Sequence, residues 1–463
     1  MPAQLNNWND TIVALATAPG IGAIAVIRLS GNISIQIADR LFSSKNLLNQ
    51  PTHTAHVGLL KDEEETLDEV VLTLFKNPRS YTGEDVVEIS CHGSPFIQQQ
   101  IIDACIRHGA RLAKPGEFTQ RAFLNGKMDL TQAEAVADLI AAQSFAARQT
   151  ALKQLRGGFS TDLAFLRNKL VEFAALIELE LDFSQEDVAF ADRTQLAALI
   201  DELSAYTTQL VNSFELGNAI KNGVSVAIIG KPNAGKSTLL NALLNEDRAI
   251  VSEIAGTTRD TIEEALNING IIFRLIDTAG IREHSIDTIE QIGIGKSLEK
   301  MRNADVVIGL FDAAGSEPET IAAQAESFKK EGLHFLLVGN KIDTSGEENA
   351  KQKFSGIQEP IVFISAKNKQ HINTLKQQLY NAAISGSLHT ENTIITNARH
   401  HVALKEVQVS LQDIKNGMAN NITGDLLALD IRRCLHYLGE ITGQIEIDRD
   451  ILGTIFGKFC IGK

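Results

Sequence analysis

An eight-residue loop that follows an apolar run constrains this chain more than any other feature. Residues Gly230–Ser237 read GKPNAGKS, and they come directly after the apolar run Val224–Ile229. The glycines let successive backbone N–H groups wrap around a polyphosphate, and the helix that follows adds its N-terminal amides. Lys236 is predicted to reach the terminal phosphates and act in catalysis, and Ser237 to offer its hydroxyl to Mg²⁺. The pattern therefore predicts a strand, a phosphate-binding loop and a helix.

Two later segments add the parts of a catalytic site for phosphoryl chemistry. The apolar run Phe273–Ile276 reads as a buried strand and leads into Asp277-Thr278-Ala279-Gly280, where a carboxylate near the metal and a glycine near the γ-phosphate are expected. Between the loop and that strand, Gly256–Asp260 lies far enough along the chain to return to the metal. Thr258 is therefore predicted as a second Mg²⁺ ligand, and Asp277 as a catalytic residue.

Two more segments are predicted to recognise the base. The run 334–338 is followed by Asn340-Lys341-Ile342-Asp343, and the run 361–364 by Ser365-Ala366-Lys367. Guanine presents two adjacent donors that one carboxylate can accept together, whereas adenine would leave Asp343 unpaired at a cost of roughly 1–3 kcal/mol. The nucleotide is therefore predicted to be GTP. The residues predicted to bind it are Asn233, Ala234, Gly235, Lys236, Ser237, Thr238, Ser252, Glu253, Ile254, Ala255, Gly256, Thr257, Thr258, Asp277, Thr278, Ala279, Gly280, Asn340, Lys341, Asp343, Ser365, Ala366 and Lys367.

The composition is that of a soluble globular protein with about three domains. The chain has 463 residues, too many for one core, and 22% of them are charged. No apolar run is long enough to span a bilayer and no secretory signal is recognisable, so a cytoplasmic location is expected. Cys91, Cys105, Cys434 and Cys460 lack CxxC spacing, which argues against a disulfide framework and a zinc site. A formal net charge of −14 implies that any contact with RNA is local.

The order of apolar patterns predicts an α/β fold combined with a helical domain. Short β-like runs at 23–29, 70–75 and 86–89 alternate with a helical stretch at 96–107. Thr131 and Glu134 fit a capping box that opens a long helical segment to about Leu155. A helical stripe of apolar residues follows, made of Leu163, Leu166, Leu170, Phe173, Ile177 and Leu181. The predicted domains are an N-terminal α/β domain at 1–123, the first part of a helical domain at 124–221, an inserted Ras-like P-loop GTPase domain at 222–383 and the second helical part at 384–463.

Several blocks outside the nucleotide motifs carry a family resemblance. They are Ile27–Gly31 (IRLSG), Tyr81–Glu88 (YTGEDVVE), Pro115–Phe118 (PGEF), Arg121–Lys127 (RAFLNGK) and the terminal Cys460–Lys463 (CIGK). Together with the order of the nucleotide motifs, they closely resemble the bacterial and organellar tRNA-uridine-modification GTPases, the MnmE (TrmE) family, over essentially the whole chain. One departure is His92-Gly93-Ser94, where the family has His-Gly-Gly.

The resemblance implies a site for a one-carbon donor in the N-terminal domain. It implies a homodimer whose N-terminal domains pair and bind 5-formyltetrahydrofolate, with Arg28, Glu88, Lys127 and Lys463 as the folate contacts by motif position. Cationic groups suit the glutamyl carboxylates of a folate, and a carboxylate suits the donor edge of its pterin ring. Cys460 is left open, either as a nucleophile or as a thiol packed near the folate.

The resemblance also completes the hydrolytic site. Many GTPases place a water-orienting Gln after the Asp-Thr-Ala-Gly segment, but this chain has Ile281 there. The family nominates Glu290 for that task. It also implies a K⁺ ion in place of an arginine finger, held by Asn233 together with oxygens of Ser252, Ile254 and Thr257.

The predicted function is a GTP-dependent step in modifying the wobble uridine (U34) of tRNA at carbon 5 with a carboxymethylaminomethyl-type group. The resemblance implies an FAD-dependent partner protein, a heterotetrameric complex and tRNA as substrate. A ribosome-assembly or RNA-binding GTPase switch is the main alternative, because the nucleotide motifs alone would suit it. A folate-dependent methyltransferase acting alone is a third possibility, which leaves the GTPase motifs unused.

Overall fold

The computed structural model describes residues 9–182, 193–247, 263–276, 304–383, 393–420, 422–444 and 462. The chain divides into two compact units. The first consists of Met1–Ala137, Gln154–Leu196 and Asp413–Lys463, and the second of Asp138–Lys153 and Ala197–Gln412.

The first unit contains a mostly antiparallel six-stranded sheet. Its strands are β1 (Thr11–Leu15), β2 (Ile24–Ser30), β3 (Thr54–Asp62), β4 (Glu65–Phe75), β5 (Val86–His92) and β6 (Ala110–Leu112), in the order β3-β4-β5-β2-β1-β6. All neighbouring pairs run antiparallel except β1 and β6, which are parallel. Three of these strands confirm the β-like runs predicted from the sequence.

Two helices cover one face of this sheet, and the opposite face, here called the open face, is covered only in part. Helices α1 (Ser34–Leu41), α2 (Pro95–Arg107) and α3 (Glu117–Leu124) belong to this unit, and α1 and α2 pack on the sheet. Their apolar side chains bury the alternate strand residues, such as Ile27, Leu72 and Ile89. On the opposite face, paired Val57 and Val71 remain 68% and 41% exposed. The open face is therefore exposed at β3 and β4 but buried at β1, where Ile12 and Ala14 pack with Phe118 of α3.

The helical segments that follow are α4 (Leu130–Ala141), α5 (Phe145–Leu155), α6 (Gly158–Asp182), α7 (Arg193–Asn212) and α8 (Phe214–Asn222). The apolar stripe predicted on α6 is buried at every position that the structure describes, from Leu163 to Ile177. Leu181 lies outside the described side chains. The stripe is therefore core, as its helical spacing predicts.

The predicted capping box and uninterrupted helix from Thr131 to Leu155 are wrong. The cap lies two residues earlier, where an Asp129 carboxylate oxygen accepts from the Gln132 amide and Gln132 Oε1 accepts from the Asp129 amide. Asp and Gln at this spacing form the same reciprocal cap as Thr and Glu. Helix α4 ends at Ala141, and residues 142–144 are not helical. The Ser144 hydroxyl then accepts from the Ala147 amide and caps the start of α5.

The second unit contains a mostly parallel six-stranded sheet. Its strands are β7 (Val224–Ile229), β8 (Glu263–Ile268), β9 (Ile271–Ile276), β10 (Val306–Asp312), β11 (Phe335–Asn340) and β12 (Ile361–Phe363), in the order β12-β11-β10-β7-β9-β8. Only the edge strand β8 is antiparallel to its neighbour. The strand order reverses at β7, and in such sheets ligands bind beyond the carboxyl end of that strand.

Helices connect these strands and continue beyond them. They are α9 (Lys236–Asp247), α10 (Pro318–Lys330), α11 (Ile342–Ser345), α12 (Glu347–Lys353) and α13 (Ile372–Ala383), followed by α14 (Ala398–Ala419) and α15 (Gly424–Thr442). In the first unit α15 packs against α6. Within the described ranges, none of the helices combines the length and apolarity needed to cross a bilayer.

Candidate functional site

The predicted phosphate-binding loop connects the central strand β7 to α9. Asn233 has a φ of 63° and Gly235 a φ of 97°, so the backbone turns through the left-handed region at both positions. A Cβ on Gly235 would lie 2.3 Å from Asn340 Nδ2, which excludes any larger residue there. Lys236 Nζ donates to the Gly230 carbonyl oxygen at 2.6 Å, so the ammonium lies against the loop. The geometry is that of an anion-binding turn at a helix N-terminus.

Asn340 joins this loop to the segment after β12. Its side chain is 2% exposed, its Nδ2 donates to the Ala234 carbonyl oxygen at 2.9 Å, and its Oδ1 accepts from the Ala366 amide at 3.0 Å. One buried amide thus satisfies backbone groups on two separate loops. The predicted base-recognition segments and the phosphate loop therefore meet at one end of the sheet.

Asp343 is oriented by the second of these segments. The Ser365 hydroxyl donates to Asp343 Oδ1 at 2.6 Å, and the Asn368 amide donates to the same hydroxyl at 3.2 Å. Ser365 is fully buried, whereas Asp343 is exposed. A carboxylate held by one oxygen at an exposed position can accept the paired donors of a guanine edge.

Lys341 connects the segment that carries Asp343 to the neighbouring strand β10. Its backbone has a φ of 69°, and its Nζ lies 2.8 Å from Asp312 Oδ2 at the end of β10. Burial alone would raise the pKa of Asp312, but hydrogen bonds from Lys341 and from the Ala314 and Gly315 amides hold that pKa below its ordinary value. The pair is therefore charged at neutral pH and links β10 to the segment that carries Asp343.

The described loop fits the metal ligands predicted from the sequence. Ser237 and Thr238 are exposed in the first turn of α9, and Asn233 is exposed on the loop and lines a cavity of about 590 Å³ between the loop and α10. Hydroxyl and amide oxygens at these positions suit Mg²⁺ and K⁺ respectively. The other predicted ligands and catalytic residues lie outside the described residues, namely Ser252, Glu253, Ile254, Ala255, Gly256, Thr257, Thr258, Asp277, Thr278, Ala279, Gly280 and Glu290.

In the first unit, two of the predicted folate contacts lie side by side on the open face of the sheet. Arg28 on β2 and Glu88 on β5 are directly paired across the strands, with Arg28 Nη2 at 2.7 Å from Glu88 Oε1. The guanidinium lies 5.5 Å from the ring centre of Tyr81 and 5.7 Å from that of Phe118. Both charges are 21–29% exposed, so the pair is ordered and still accessible to a ligand.

Lys127 borders the same region, and among the residues that the structure describes no carboxylate pairs with it. Its Nζ donates to the Pro78 carbonyl oxygen at 2.9 Å, and its methylenes pass beside Gly83. Lys127 thus lies along the loop 78–84. The same loop carries Tyr81, whose ring packs near Arg28. Arg28, Glu88 and Lys127 therefore all lie around this loop and its neighbouring strands.

A buried ionic network centred on Arg121 holds the loop in place, and sequence reasoning missed it. The Arg121 side chain is 1% exposed and donates to the Asp10 carboxylate at 2.8 Å, to Glu84 at 3.2 Å and to Glu117 at 3.0 Å. Glu84 also accepts from the Ser30 hydroxyl at 2.6 Å. Four of the five sequence blocks that carry the resemblance, those that contain Ser30, Glu84, Glu117 and Arg121, therefore meet in one network. The signal available in the sequence was an arginine beside the apolar residues Phe118 and Ala122 in one short helical segment.

Arg111 completes this network and fixes its charge state. It pairs with both Asp10 and Glu117. Burial would raise the pKa of Glu117, but hydrogen bonds from Arg111, the Lys114 amide and Arg121 keep that pKa below its usual value. The pKa of Asp10 is lowered in the same way, because the two guanidiniums outweigh the effect of burial. Both carboxylates are therefore ionised at neutral pH.

The C-terminal tail reaches this unit at Gly462. Gly462 has a φ of 96°, and a Cβ there would lie 2.0 Å from the Leu15 carbonyl oxygen at the end of β1. Leu15 pairs with Ile27, the residue before Arg28. Cys460 and Lys463 lie outside the described residues. The close approach of Gly462 nevertheless fixes one residue of the tail near the strands that carry the predicted folate contacts.

The three cysteines that the structure describes are buried free thiols. They are Cys91, Cys105 and Cys434. Burial raises the pKa of Cys91 to about 11 and that of Cys105 to about 12. Neither is a nucleophile at neutral pH. Among the described residues, no group of three or more His, Cys, Asp and Glu side chains forms a metal site.

Comparison with known proteins decides the family. Residues 11–127 match the family model described as GTP-binding protein TrmE N-terminus, and residues 130–460 match the MnmE helical domain. A tRNA modification GTPase MnmE from Cytophaga hutchinsonii is 55% identical over 99% of this chain and 99% of its own length. The chain belongs to the MnmE family. Two further proteins of that name, from Flavobacterium johnsoniae and Flavobacterium psychrophilum, are 52% and 51% identical over 98% of this chain and 99–100% of their own lengths.

Membership of the MnmE family confirms the resemblance found in the sequence. The prediction of an enzyme in the tRNA modification GTPase class is confirmed with it. The coarse fold is also confirmed, since an N-terminal α/β domain and a helical domain match their family models and a mostly parallel sheet carries the phosphate loop. The domain boundaries, the one-carbon donor, the metal ions and the partner stay predictions.

Proposed function

We propose that the protein hydrolyses GTP as one component of a system that modifies the wobble uridine of tRNA at carbon 5. The observation that carries this proposal is the junction at Asn340. One buried side chain joins the phosphate loop to the loop that orients Asp343, in a chain 55% identical to a tRNA modification GTPase over 99% of both lengths.

Base selectivity follows from the carboxylate at position 343. Because Ser365 already donates to Asp343 Oδ1, the carboxylate has a fixed orientation when it accepts the N1 and 2-amino donors of guanine. Asp343→Asn would replace an acceptor with a donor, which suits the 2-oxo group of xanthine. We expect GTP affinity to fall roughly 10–100-fold, because bonds to charged groups contribute about 1.5–3 kcal/mol, and XTP affinity to rise.

Fluorescence titration with labelled GDP, GTP, XTP and ATP tests this assignment. Glu348→Gln is a matched control, because Glu348 is an exposed carboxylate on the nearby α12. Preference of the unmodified protein for ATP would refute a guanine site. An Asp343→Asn variant with the same nucleotide preference as the unmodified protein would refute the role of Asp343.

The proposal includes Mg²⁺ and K⁺ at the phosphate loop. Ser237 would hold Mg²⁺ with Thr258, and Asn233 would hold K⁺ with oxygens of Ser252, Ile254 and Thr257. These ions would supply positive charge next to the terminal phosphates, and Lys236 would orient the phosphates from the loop. Hydrolysis should be much faster in K⁺ than in Na⁺, and Asn233→Ala should remove the difference. Equal rates of the unmodified protein in the two salts would contradict the K⁺ site.

Orientation of the attacking water falls to another residue in this proposal, because Ile281 cannot do it. Glu290 is the candidate, and Asp277 is the candidate partner of the metal. Glu290→Gln should reduce the single-turnover hydrolysis rate with little change in GTP affinity. A weaker affinity with an unchanged rate would assign Glu290 to binding instead.

The second part of the proposal is a 5-formyltetrahydrofolate site on the first unit. Arg28 and Glu88 form an accessible ion pair beside Tyr81, and Lys127 borders the same loop. Lys463 would add a further cation, and Cys460 lies in the same tail. Calorimetric titration of the full chain with the folate should show binding that Glu88→Gln and Arg28→Ala weaken. Arg107→Ala, at an exposed ion pair of the same unit, is the control.

Assembly follows the family in this proposal. We infer a homodimer through the N-terminal unit, supported by exposed Val57 and Val71 on the open face of its sheet. We also infer an FAD-dependent partner, a heterotetrameric complex, a cytoplasmic location, and an inserted GTPase domain at 222–383 within helical parts at 124–221 and 384–463. Light scattering of Val71→Glu against unmodified protein tests the dimer. A Val71→Glu variant that is still a dimer would contradict the proposal that this face forms the dimer interface.

Mass analysis of tRNA nucleosides tests the function as a whole. A strain lacking the gene should lose the C5-modified wobble uridine and recover it with the unmodified gene. Asp277→Ala should fail to restore it. Recovery with that variant would show that GTP hydrolysis is not needed, and normal nucleosides in the deletion strain would favour a ribosome-assembly role.

A further inference from the structure

The chain enters and leaves the nucleotide-binding sheet through two segments that are locked together. Helix α8 ends at Asn222, directly before β7, and the segment 393–397 leads into α14. The Ile395 amide donates to the Ser213 hydroxyl at 3.0 Å. Gly217 on α8 lies so close that a Cβ there would be 1.9 Å from the Ile395 carbonyl oxygen. Because no side chain separates the two backbones, the entry and exit segments form one rigid pair.

A single carboxylate on α4 holds both segments. Lys221 Nζ lies 2.8 Å from Asp138 Oδ1, and Thr396 Oγ1 lies 3.5 Å from Asp138 Oδ2. Lys221 belongs to the last turn of α8, and Thr396 lies two residues before the start of α14. The Asp138 side chain is 16% exposed, so solvent reaches it only in part. One oxygen of the carboxylate thus contacts the entry segment, and the other contacts the exit segment.

Packing around this carboxylate is loose. A cavity of about 110 Å³ lies between the two segments and the end of α4 with α5. Its apolar lining is mainly alanine, contributed by Ala141, Ala142, Ala147 and Ala151. Small side chains do not interlock as a well-packed core does, and the space is large enough for ordered water. With this space beside them, the polar contacts of Asp138 are a direct link between the end of α4 and the two segments.

Helix α5 also contacts the sheet at the start of β9, the strand that leads to the predicted nucleotide-binding segment Asp277–Gly280. Ala146 and Ala147 pack against the apolar core of the second sheet, and Ala146 lies beside Gly270 in the turn between β8 and β9. Strand β9 runs from that turn to Ile276, the residue before Asp277. A shift of β9 therefore acts on α5 near its junction with α4.

We propose that Asp138 is a positioning residue that couples the nucleotide state of the sheet to the helices, by fixing the entry and exit segments against α4. This inference rests on the proposed function, because it assumes that GTP hydrolysis drives tRNA modification. Asp138→Asn leaves no charge at this position of α4, and the Lys221 side chain, which is 31% exposed, can turn to solvent, so the fold and the nucleotide site should stay intact. The coupling is what should be lost.

The test compares hydrolysis with modification in the full-length protein. Asp138→Asn removes the charge and keeps the shape of the side chain. We expect kcat and KM for GTP in K⁺ to stay within about twofold, and thermal unfolding to be unchanged. In a deletion strain, the same variant should lower the modified wobble nucleoside at least about tenfold. Lys221→Met should act in the same direction.

Two further variants separate positioning from a general loss of structure. Exchanging the charges, with Asp138→Lys and Lys221→Asp in one chain, should restore at least half of the modified nucleoside that Asp138→Lys alone loses. Asp413→Asn is the control, because it removes another ion pair between two helices, at 2.6 Å from Arg433, and should leave the nucleoside level unchanged.

Each outcome has a defined meaning. Normal nucleoside levels with Asp138→Asn, or a fall in GTP hydrolysis as large as the fall in modification, would overturn the coupling role. Failure of the charge exchange to restore modification would also overturn it. If the unmodified gene itself fails to restore the nucleoside, the proposed function fails, and the inference fails with it. If the unmodified gene restores it and every variant does too, only the coupling role fails.

Discussion

Removal of the Arg121 guanidinium should destabilise the first unit strongly. The change Arg121→Met keeps the volume and the apolar stem but deletes donors to Asp10, Glu84 and Glu117. Arg111 would still pair with Asp10 and Glu117, whereas Glu84 would lose its guanidinium and keep the hydrogen bond from Ser30. The variant thus leaves a partly buried carboxylate without its main counter-charge.

The magnitude follows from the burial of this network. Summing the lost bonds at about 1.5–3 kcal/mol each would overstate the effect, because Arg111 still neutralises two of the carboxylates. Breaking a buried ion pair by removing one partner costs about 3–5 kcal/mol, and with Arg121 1% exposed we expect that range. Since about 1.4 kcal/mol corresponds to a factor of ten, the opening equilibrium should shift by roughly two to four powers of ten.

Hydrogen exchange measured by mass spectrometry is the suitable assay, because a chain of several domains need not unfold in one step. Peptides covering 78–92 should exchange faster in Arg121→Met by that factor. Arg107→Met is the control, since Arg107 is 59% exposed in its pair with Asp62 and exposed pairs contribute about 0–1 kcal/mol. Equal acceleration by the two variants would refute the structural role of Arg121.

The same network predicts a dependence on pH with a defined sign. Asp10 and Glu117 have pKa values below those of the unfolded chain, so they contribute stability at neutral pH that is lost as the pH falls through their folded pKa values. In Arg121→Met the crowded carboxylates gain protons more readily. The difference in stability between the unmodified protein and the variant should therefore narrow as the pH falls below the unfolded pKa values of these groups, from about pH 5 to about pH 3. A difference that widens over this range would contradict the charge states assigned here.

Three other changes test separate contacts. Asn340→Ala deletes both bonds between the phosphate loop and the segment after β12, so GDP affinity measured by fluorescence should fall roughly 10–100-fold; an unchanged affinity would contradict the junction. Gly462→Ala places a Cβ 2.0 Å from the Leu15 carbonyl oxygen, so folate binding should weaken while GTP hydrolysis stays normal. Asp129→Ala deletes the α4 cap, so the opening free energy of the α4 amides, measured by hydrogen exchange, should fall by about 1 kcal/mol, whereas Thr131→Ala should lower it by less.

The nucleotide site was accessible to sequence reasoning because its parts follow buried parallel strands. The strand Val224–Ile229 is observed at the predicted bounds, and the segments after β11 and β12 meet at Asn340 as expected. Apolar runs of this kind are continuous when both faces of a strand are covered, so their ends are sharp in the sequence. The edge strand β3, from Thr54 to Asp62, was not predicted, because its pattern is inverted: the exposed residues Ala55, Val57 and Leu59 are apolar, whereas Thr54, His56 and Gly58 on the other face are not.

The contacts of the first unit could not be derived from the sequence. Arg28 and Glu88 are separated by 60 residues and meet only because β2 and β5 are neighbours in the sheet, although they are not consecutive strands. Arg121 and Asp10 are separated by 111 residues. The misplaced cap at Thr131 has a local cause, since Asp129 and Gln132 form an equivalent box two residues earlier and the sequence alone does not rank the two.

The two candidate sites differ in how they are built, and this difference bears on how they can communicate. The nucleotide loop is shaped by backbone turns and one buried amide, so it can rearrange when a phosphate is lost. The region of the predicted folate contacts is held by buried charges around Arg121, which resist rearrangement because each displacement would strand a charge. In the described residues the two candidate sites belong to different units and share no side chain. Under the proposed function, any influence of GTP on the predicted folate contacts would therefore be conformational. Contacts of modest strength, such as that of Asp138 with Lys221, suit this role because they can fix a position without preventing its change.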